Sequence, residues 1–357
     1  MLQIIEFMLF VFISILLYFT LTLFYISYSE KRKKKHVEDI KKHVDDSIEA
    51  YTSSNVNKLD NRLIRSKLGL YTVINYSSKL DDEKRKIFKK LILESNYFNY
   101  IVKSLKTNDK NQLIFNIKLI GELEISKFKG YVYDSLDKYK EDIYLQYNIL
   151  LALAKLKDNV KIQEILLNRK IDITERALKN VFDVLECDKF KLYKRLVKEG
   201  NKFIKKSALY QIGFDKVYEL ENEVIKYLSS ENIDLKIAAI SAAGNLKSQR
   251  SLNIIKKLID SKETDVKKEC IIAMNLINDA ECSEEFITLL GDKDWQIKYI
   301  AAMALCDVKD IDNILTKVKN LNDKLSLDIL KYAIERRKLI KGVENDERIL
   351  IMCSTIR

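Results

Sequence analysis

Proline is absent from the 357 residues, and glycine occurs only 8 times. Proline interrupts helices and glycine shapes tight turns, so a turn-rich β fold is not expected. Hydrophobic residues make up 47% of the chain, which is enough for a sizeable core. The chain is longer than most single domains, so we expect two domains or a repeat array in an all-α protein.

Residues that carry metal or covalent chemistry are also scarce. There are two histidines, His36 and His43, and five cysteines without a C-x-x-C pair. This composition argues against a Cys/His zinc site and favours reduced thiols in a cytosolic domain. Phosphate-binding, dinucleotide-binding, zinc-protease and nucleophile-elbow motifs are missing. We therefore assign no catalytic, cofactor-binding or metal-binding residue, and we do not expect an enzyme.

The net charge of +11 is spread thinly along the chain. Residues 1–35 carry +3 of it, which leaves +8 for the rest of the chain. A nucleic-acid-binding protein usually concentrates lysine and arginine on one face. Nucleic acid is therefore not the partner that the sequence favours.

Residues 1–30 are predicted to form a membrane anchor. Phe7 to Tyr28 is a run of 22 residues without a charge, long enough for a helix of roughly 33 Å. A basic collar follows it, whereas a cleaved signal peptide has its positive charge in front; the collar residues are Lys31, Arg32, Lys33, Lys34 and Lys35. Basic flanks stay cytoplasmic, so we predict a single-pass cell-membrane protein with its N-terminus outside and its C-terminal domain in the cytoplasm. The collar is either only a topology signal or also a contact for anionic lipid.

Beyond the anchor, apolar residues recur every three or four positions over 36–51, which predicts a helical stalk. The predicted organisation has five parts: anchor 1–30, collar and stalk 31–57, N-terminal capping helices 58–110, repeat array 111–341 and C-terminal tail 342–357.

A 31-residue period runs through the rest of the chain. Apolar residues precede Ile297 at steps of 31 positions, and the last step is one position shorter. They are Val266, Leu235, Ile204, Ile173 and Ile143. Four and eight positions further on, the same helices carry small or apolar residues, such as Ala301 and Leu305 after Ile297. Apolar residues at i, i+4 and i+8 form one stripe on a helix, and the small ones allow helices to approach closely. The preceding acids are expected to cap these helices; they are Asp142, Asp172, Asp234 and Asp265.

The segment from Leu289 to Val308, with paired aspartates, an apolar–basic pair and a small-residue face, resembles the HEAT repeat. The resemblance covers about 110–340 and implies a right-handed α-solenoid of helical pairs that binds other proteins. It departs from the family in one respect, because HEAT units commonly carry prolines and this chain has none. The tetratricopeptide and armadillo periods fit less well.

Two groups of side chains are candidate partner-binding residues. The first is a lysine ladder, Lys205, Lys236, Lys267 and Lys298, which follows the apolar residue in successive repeats. It forms a basic ridge about 30 Å long for an acidic partner or phosphates, or its lysines pair with turn acids, Asp292 with Lys298 being the best fit. The second group is tyrosine-rich and includes Tyr97, Tyr100 and Tyr144. Trp295 either packs over its turn or contacts a ligand.

The leading hypothesis is a cytoplasmic scaffold or adaptor that binds protein partners at the membrane face. Residues 7–28 hold it in the lipid bilayer, and it could belong to a membrane or envelope-assembly complex. The alternatives are a nucleic-acid-binding solenoid that uses the lysine ridge, and a lyase-type enzyme resembling HEAT-like bilin lyases. The second alternative needs a pocket and a reactive group, and the sequence identifies neither.

Overall fold

The computed structural model describes residues 2–54, 67–94, 99, 102, 109–139, 141–168, 173–278, 281–308, 311–321 and 323–344. These residues contain α-helices, short 3-10 turns and no strand, which confirms the all-α prediction for this part of the chain. Contacts divide the chain into two compact units, Met1–Asp158 and Asn159–Arg357.

Unit 1 begins with one long helix and continues with shorter helices that pack on it or on one another. Helix α1 contacts α2 and α3, α2 contacts α4, and α4 and α5 contact α6. The bounds are α1 Leu2–Ser54, α2 Lys67–Ser77, α3 Asp82–Glu94, α4 Lys110–Glu122, α5 Lys129–Lys138 and α6 Ile143–Lys155.

Helix α1 changes character along its 53 residues. Near its C-terminal end, Ile40, Val44 and Ile48 are buried, so the segment predicted as a stalk belongs to the core of unit 1. Between Phe12 and Tyr28, the large apolar side chains that are described stand exposed. Among the residues that the structure describes, no helix has an apolar stretch long enough to cross a bilayer.

Unit 2 consists of helical pairs. Their second helices pack in the order α8, α10, α12, α14, α16 and α18, and their first helices, α9, α11, α13, α15 and α17, each pack on the second helix that follows. The bounds are α7 Asn159–Asn168, α8 Glu175–Val184, α9 Lys189–Glu199, α10 Lys202–Phe214, α11 Glu221–Leu228, α12 Ile233–Asn245, α13 Gln249–Leu258, α14 Thr264–Asn278, α15 Ser283–Leu289, α16 Trp295–Leu305, α17 Ile311–Asn320 and α18 Lys324–Glu344. A single pair cannot bury its own apolar face, and stacking on the next pair does so.

The predicted register holds in four successive second helices of unit 2. Ile204, Leu235, Val266 and Ile297 are each the third residue of their helix. Ile204, Val266 and Ile297 are buried, and Leu235 is half-buried. The register fails further back, because Ile173 is buried but lies before α8, whose N-cap is Thr174.

The prediction for Ile143 was wrong in a related way. Ile143 is the first residue of α6 and is 53% exposed, whereas Leu145 occupies the buried third position. Asp142 caps this helix as predicted, through a hydrogen bond from the Leu145 backbone N–H at 2.9 Å. The cap therefore places Ile143 in the first turn, where its side chain faces solvent.

Two of the other predicted caps are also corrected. Asn232, not Asp234, caps α12, with its side-chain oxygen accepting from Leu235 N at 3.2 Å. Asp234 and Asp265 are the second residues of α12 and α14. A carboxylate there is favoured by the helix dipole without capping the helix. Asp172 lies outside the described residues.

Small residues set the spacing of the stacked helices. A Cβ added to Gly213 of α10 would lie 2.8 Å from the Cα of Ala242 of α12. A Cβ added to Gly244 of α12 would lie 2.8 Å from the Cα of Ala273 of α14. In both cases the glycine is the twelfth residue of its helix and the alanine the tenth of the next. These glycines and alanines let the backbones of neighbouring second helices approach closely. They are not the small positions predicted from the sequence, such as Ala301, which is the seventh residue of α16.

Candidate protein-binding surface

The same turn recurs with the repeat period before four second helices of unit 2, which are α12, α14, α16 and α18. Four side chains accept a hydrogen bond from the backbone N–H two positions further on; they are Ser230, Ser261, Asp292 and Asp323. Such local bonds hold the chain in a turn before the helix begins. Each turn residue lies 25 positions after one lysine of the ladder.

The lysine ladder is therefore interrupted by acids. The Lys267 ammonium lies 2.9 Å from the Asp292 carboxylate of the next pair. Burial acts to raise the pKa of Asp292, but hydrogen bonds from the Asp294 N–H and Lys267 outweigh it, so the pKa is lowered. Asp292 pairs with Lys267 rather than with Lys298, which corrects the predicted pair. Lys298 lies on α16, the helix that follows the turn, whereas Lys267 reaches the turn from α14, the preceding second helix.

The other three lysines have different surroundings. Lys298 contributes to the lowered pKa of Asp323, after the larger effect of the Ser326 hydroxyl. Lys205 and Lys236 correspond to the serines, and neither forms an ion pair with any residue that the structure describes. These contacts do not form a uniform basic ridge. A partner-binding role for the lysine ladder stays a prediction.

An exposed aromatic cluster lies between α16 and α18. Trp295 is 59% exposed and stacks on Tyr299, with ring centroids 5.3 Å apart and an interplanar angle of 2°. The Tyr299 ring also lies 6.3 Å from that of Tyr332, which is 52% exposed. The Arg336 guanidinium lies 5.7 Å from the Tyr299 centroid. Trp295 thus packs over its own helix start and still presents much of its indole to solvent.

This cluster belongs to a broader stripe that we name the second-helix face. We define it by five of the exposed large side chains on the second helices: Phe214, Ile272, Leu276, Trp295 and Tyr332. In α14, Ile272 and Leu276 lie two positions out of phase with the buried Cys270 and Met274. The 31-residue pattern marks only the core positions and therefore did not predict this stripe. The available signal was a second apolar series at a four-residue spacing.

Of the three predicted tyrosines, the structure describes one. Tyr144, in unit 1, is 54% exposed, and its hydroxyl accepts a hydrogen bond from Lys118 Nζ at 2.9 Å. That bond is the main reason why the pKa of Tyr144 is lowered. Tyr97 and Tyr100 lie outside the described residues.

The collar residues are all exposed and continue α1 beyond its apolar segment. Most of them line an open groove beside α2; the lining residues are Tyr28, Ser29, Lys31, Arg32, Lys33, Lys35, His36, Asp39 and Leu68. Lys34 is not among them. The groove concentrates positive charge at one end of the exposed apolar segment.

Within the described part of the chain, no group of three or more His, Cys, Asp or Glu side chains is placed to hold a metal ion. Cys270 is fully buried at the small-residue core position, and burial raises the pKa of its thiol to about 12. Burial also raises the pKa of Cys187. Raised pKa values keep these thiols protonated and therefore poor nucleophiles.

In sequence, the chain matches no protein-family model and no curated protein. In structure, it is similar to the complex of CpcE and CpcF of phycocyanin lyase from Nostoc sp. PCC7120. The two share 12% identity with a TM-score of 0.29, over 67% of this chain and 93% of that chain. A likeness this weak carries no argument about what the present chain does.

Proposed function

We propose that the protein is a membrane-tethered scaffold whose second-helix face binds another protein. The observation that carries this proposal is the exposed aromatic cluster of Trp295, Tyr299 and Tyr332 beside Arg336. Tryptophan, tyrosine and arginine dominate the binding energy of protein interfaces. A Trp295 side chain that is 59% exposed in the free chain has apolar surface left for a partner to bury.

The HEAT-like interpretation supports the same proposal. The repeat register, the small-residue contacts and the repeated turns are the properties of a stack that offers one long face to a partner. The pairing of Lys267 with Asp292 favours a protein over nucleic acid, because it neutralises the centre of the lysine ladder.

The membrane anchor is the second part of the proposal and rests on the sequence. Residues 7–28 carry no charge and are followed by Lys31 to Lys35, and this order of charges supports an orientation with the C-terminal part of the chain in the cytoplasm. The side chains of residues 7–11 and 13 lie outside those described. Tethering raises the effective concentration of the scaffold beside a membrane-bound partner.

Affinity capture from the membrane fraction tests protein binding. The full-length chain, solubilised in mild detergent, is compared with Trp295→Ala and with the matched control Tyr218→Ala. Tyr218 is 59% exposed in unit 2 but precedes the first helix α11, away from the second-helix face. We expect a captured partner whose affinity falls at least about 30-fold in Trp295→Ala and stays unchanged in the control. Equal affinity for both variants would rule out the second-helix face.

Alkaline extraction tests the anchor separately. The full chain should remain in the membrane pellet at high pH, and a variant that lacks residues 2–28 should move to the supernatant. Protease added outside intact cells should leave the part after Lys35 uncut. Release of the full-length chain by alkali would show that residues 7–28 do not span the bilayer.

A further inference from the structure

We propose that the open groove between α1 and α2 binds the headgroup phosphate of one anionic phospholipid. This binding site rests on the anchor part of the proposed function, because the bilayer supplies its ligand. The groove has a volume of about 730 Å³, and small-molecule sites measure about 300–1,000 Å³. Helix α1 supplies its charged lining residues, and α2 contributes Leu68.

The groove divides the basic collar into two sides of one helix. Successive residues of an α-helix are turned by about 100°, so Arg32 and Lys35, three positions apart, lie on the same side. Both line the groove, whereas Lys34 does not. Glu30 and Glu38 lie one turn before and one turn after Lys34, where their carboxylates balance its charge. The net positive charge of the collar is therefore concentrated on the side of α1 that lines the groove.

This positive charge is not neutralised within the described part of the chain. Four basic side chains line the groove, against one carboxylate, that of Asp39. All four are exposed, and none forms an ion pair with a residue that the structure describes. Asp39 lies seven positions after Arg32, or about 10 Å along the helix axis. The Arg32 guanidinium has a planar fork of N–H donors that matches two oxygens of a phosphate. The groove therefore suits an anion, with Arg32 as its main contact.

The position of the groove along α1 identifies a lipid as the source of the phosphate. Tyr28 is both the last residue of the uncharged run and a lining residue of the groove. Large apolar side chains stand exposed before it, from Phe12 onwards. Arg32 lies about 6 Å beyond Tyr28 along the helix, and the headgroup region extends roughly 5–7 Å beyond the hydrocarbon core. With residues 7–28 in the core, Arg32 reaches the headgroup phosphates. Leu68 adds an apolar contact that an inorganic ion does not use.

Native mass spectrometry of the full-length chain in mild detergent tests this binding. The probes are dihexanoyl phosphatidylglycerol, which is anionic, and dihexanoyl phosphatidylcholine, which carries the same phosphate but no net charge. We expect one phosphatidylglycerol per chain, bound at least about tenfold more tightly than phosphatidylcholine. Inorganic phosphate at the same concentration should leave the lipid bound. Displacement of the lipid by inorganic phosphate, or no saturable binding of phosphatidylglycerol, would overturn the proposal.

Lys35→Gln and Lys34→Gln are a matched pair, because two neighbouring lysines lose the same charge. A hydrogen bond to a charged group is worth about tenfold or more in affinity. Lys35→Gln and Arg32→Gln should therefore each weaken phosphatidylglycerol binding at least about tenfold, and Lys34→Gln by less than about twofold. Attraction to the collar as a whole would instead weaken binding about fivefold for either lysine. Equal losses in Lys34→Gln and Lys35→Gln would thus overturn the groove as the site.

The lipid site and the proposed function can fail separately. Binding of phosphatidylglycerol in detergent needs no partner protein, so failure to capture any protein would remove the scaffold and leave the lipid site. Retention of the chain in the membrane pellet after alkaline extraction, together with equal losses in the matched pair, would keep the anchor and remove only the lipid site.

Discussion

Gly244 offers the sharpest test of how the helices of unit 2 stack. Replacing it with alanine would place a Cβ 2.8 Å from the Cα and 2.9 Å from the Cβ of Ala273. Carbon atoms in contact prefer about 3.5–4.0 Å, so α12 and α14 would have to separate by more than half an ångström. Overpacking of this kind costs about 1–3 kcal/mol. Alanine also gains up to about 1 kcal/mol over glycine inside a helix, so we expect a net loss near 1 kcal/mol.

Gly130 is the matched control. It is the second residue of α5, and an added Cβ would meet nothing within 4 Å. Gly130→Ala should therefore gain about 0.5–1 kcal/mol, from the helical preference alone. Urea unfolding of the full-length chain, followed by circular dichroism, measures both variants. Trp295 is the only tryptophan, and its fluorescence reports on unit 2 for Gly244→Ala. Equal stabilisation by the two substitutions would refute the close helix contact.

Three further predictions concern the turns and two buried polar side chains of α10. Since the pKa of Asp292 is lowered in the folded state, its stabilising contribution is fully present above the ordinary carboxyl pKa of about 3.9 and is lost as the pH falls through the lower folded value. The difference in melting temperature between the native chain and Asp292→Asn should therefore be larger at pH 6 than at pH 3, and the same difference at both pH values would contradict this. Lys247 has a φ of 52°, so Lys247→Gly should raise the unfolding free energy by about 1 kcal/mol and Lys247→Ala should not; urea titration would expose an error if both behave alike. Ser207→Ala/Gln211→Ala should stabilise unit 2 by about 1–2 kcal/mol, because it removes two buried polar atoms, Ser207 Oγ and Gln211 Oε1, that have no hydrogen-bond partner among the described residues; a double variant that proves less stable in urea titration would mean that these atoms already have partners.

The core register could be predicted from the sequence because it depends on local pattern. Ile204, Val266 and Ile297 recur with small residues four positions later, and only a stacked helix explains both features. The register was lost at Ile173 because α8 begins closer to α10 than the repeat period requires. A short change in pair length shifts every position on its far side, and no single residue marks it.

The contacts between pairs were not predictable in the same way. Asp292 has lysines at two distances in the sequence, and the sequence favours the nearer Lys298, whereas the fold brings Lys267 to it at 2.9 Å. Asn232 and Asp234 are both acceptable at a helix start, so their order is decided by where the turn ends. The exposure of Ile272 and Leu276 depends on whether another layer covers the second-helix face, and a residue pattern does not encode that.

Photo-crosslinking in intact cells tests the central claim most directly. A photoreactive amino acid is placed at Ile272, which is 41% exposed on the second-helix face, or at Asn253, which is exposed on the first helix α13. We expect a discrete crosslinked protein in the membrane fraction from position 272 and none from position 253. Crosslinking from position 253 alone, or to equal extent from both, would contradict it.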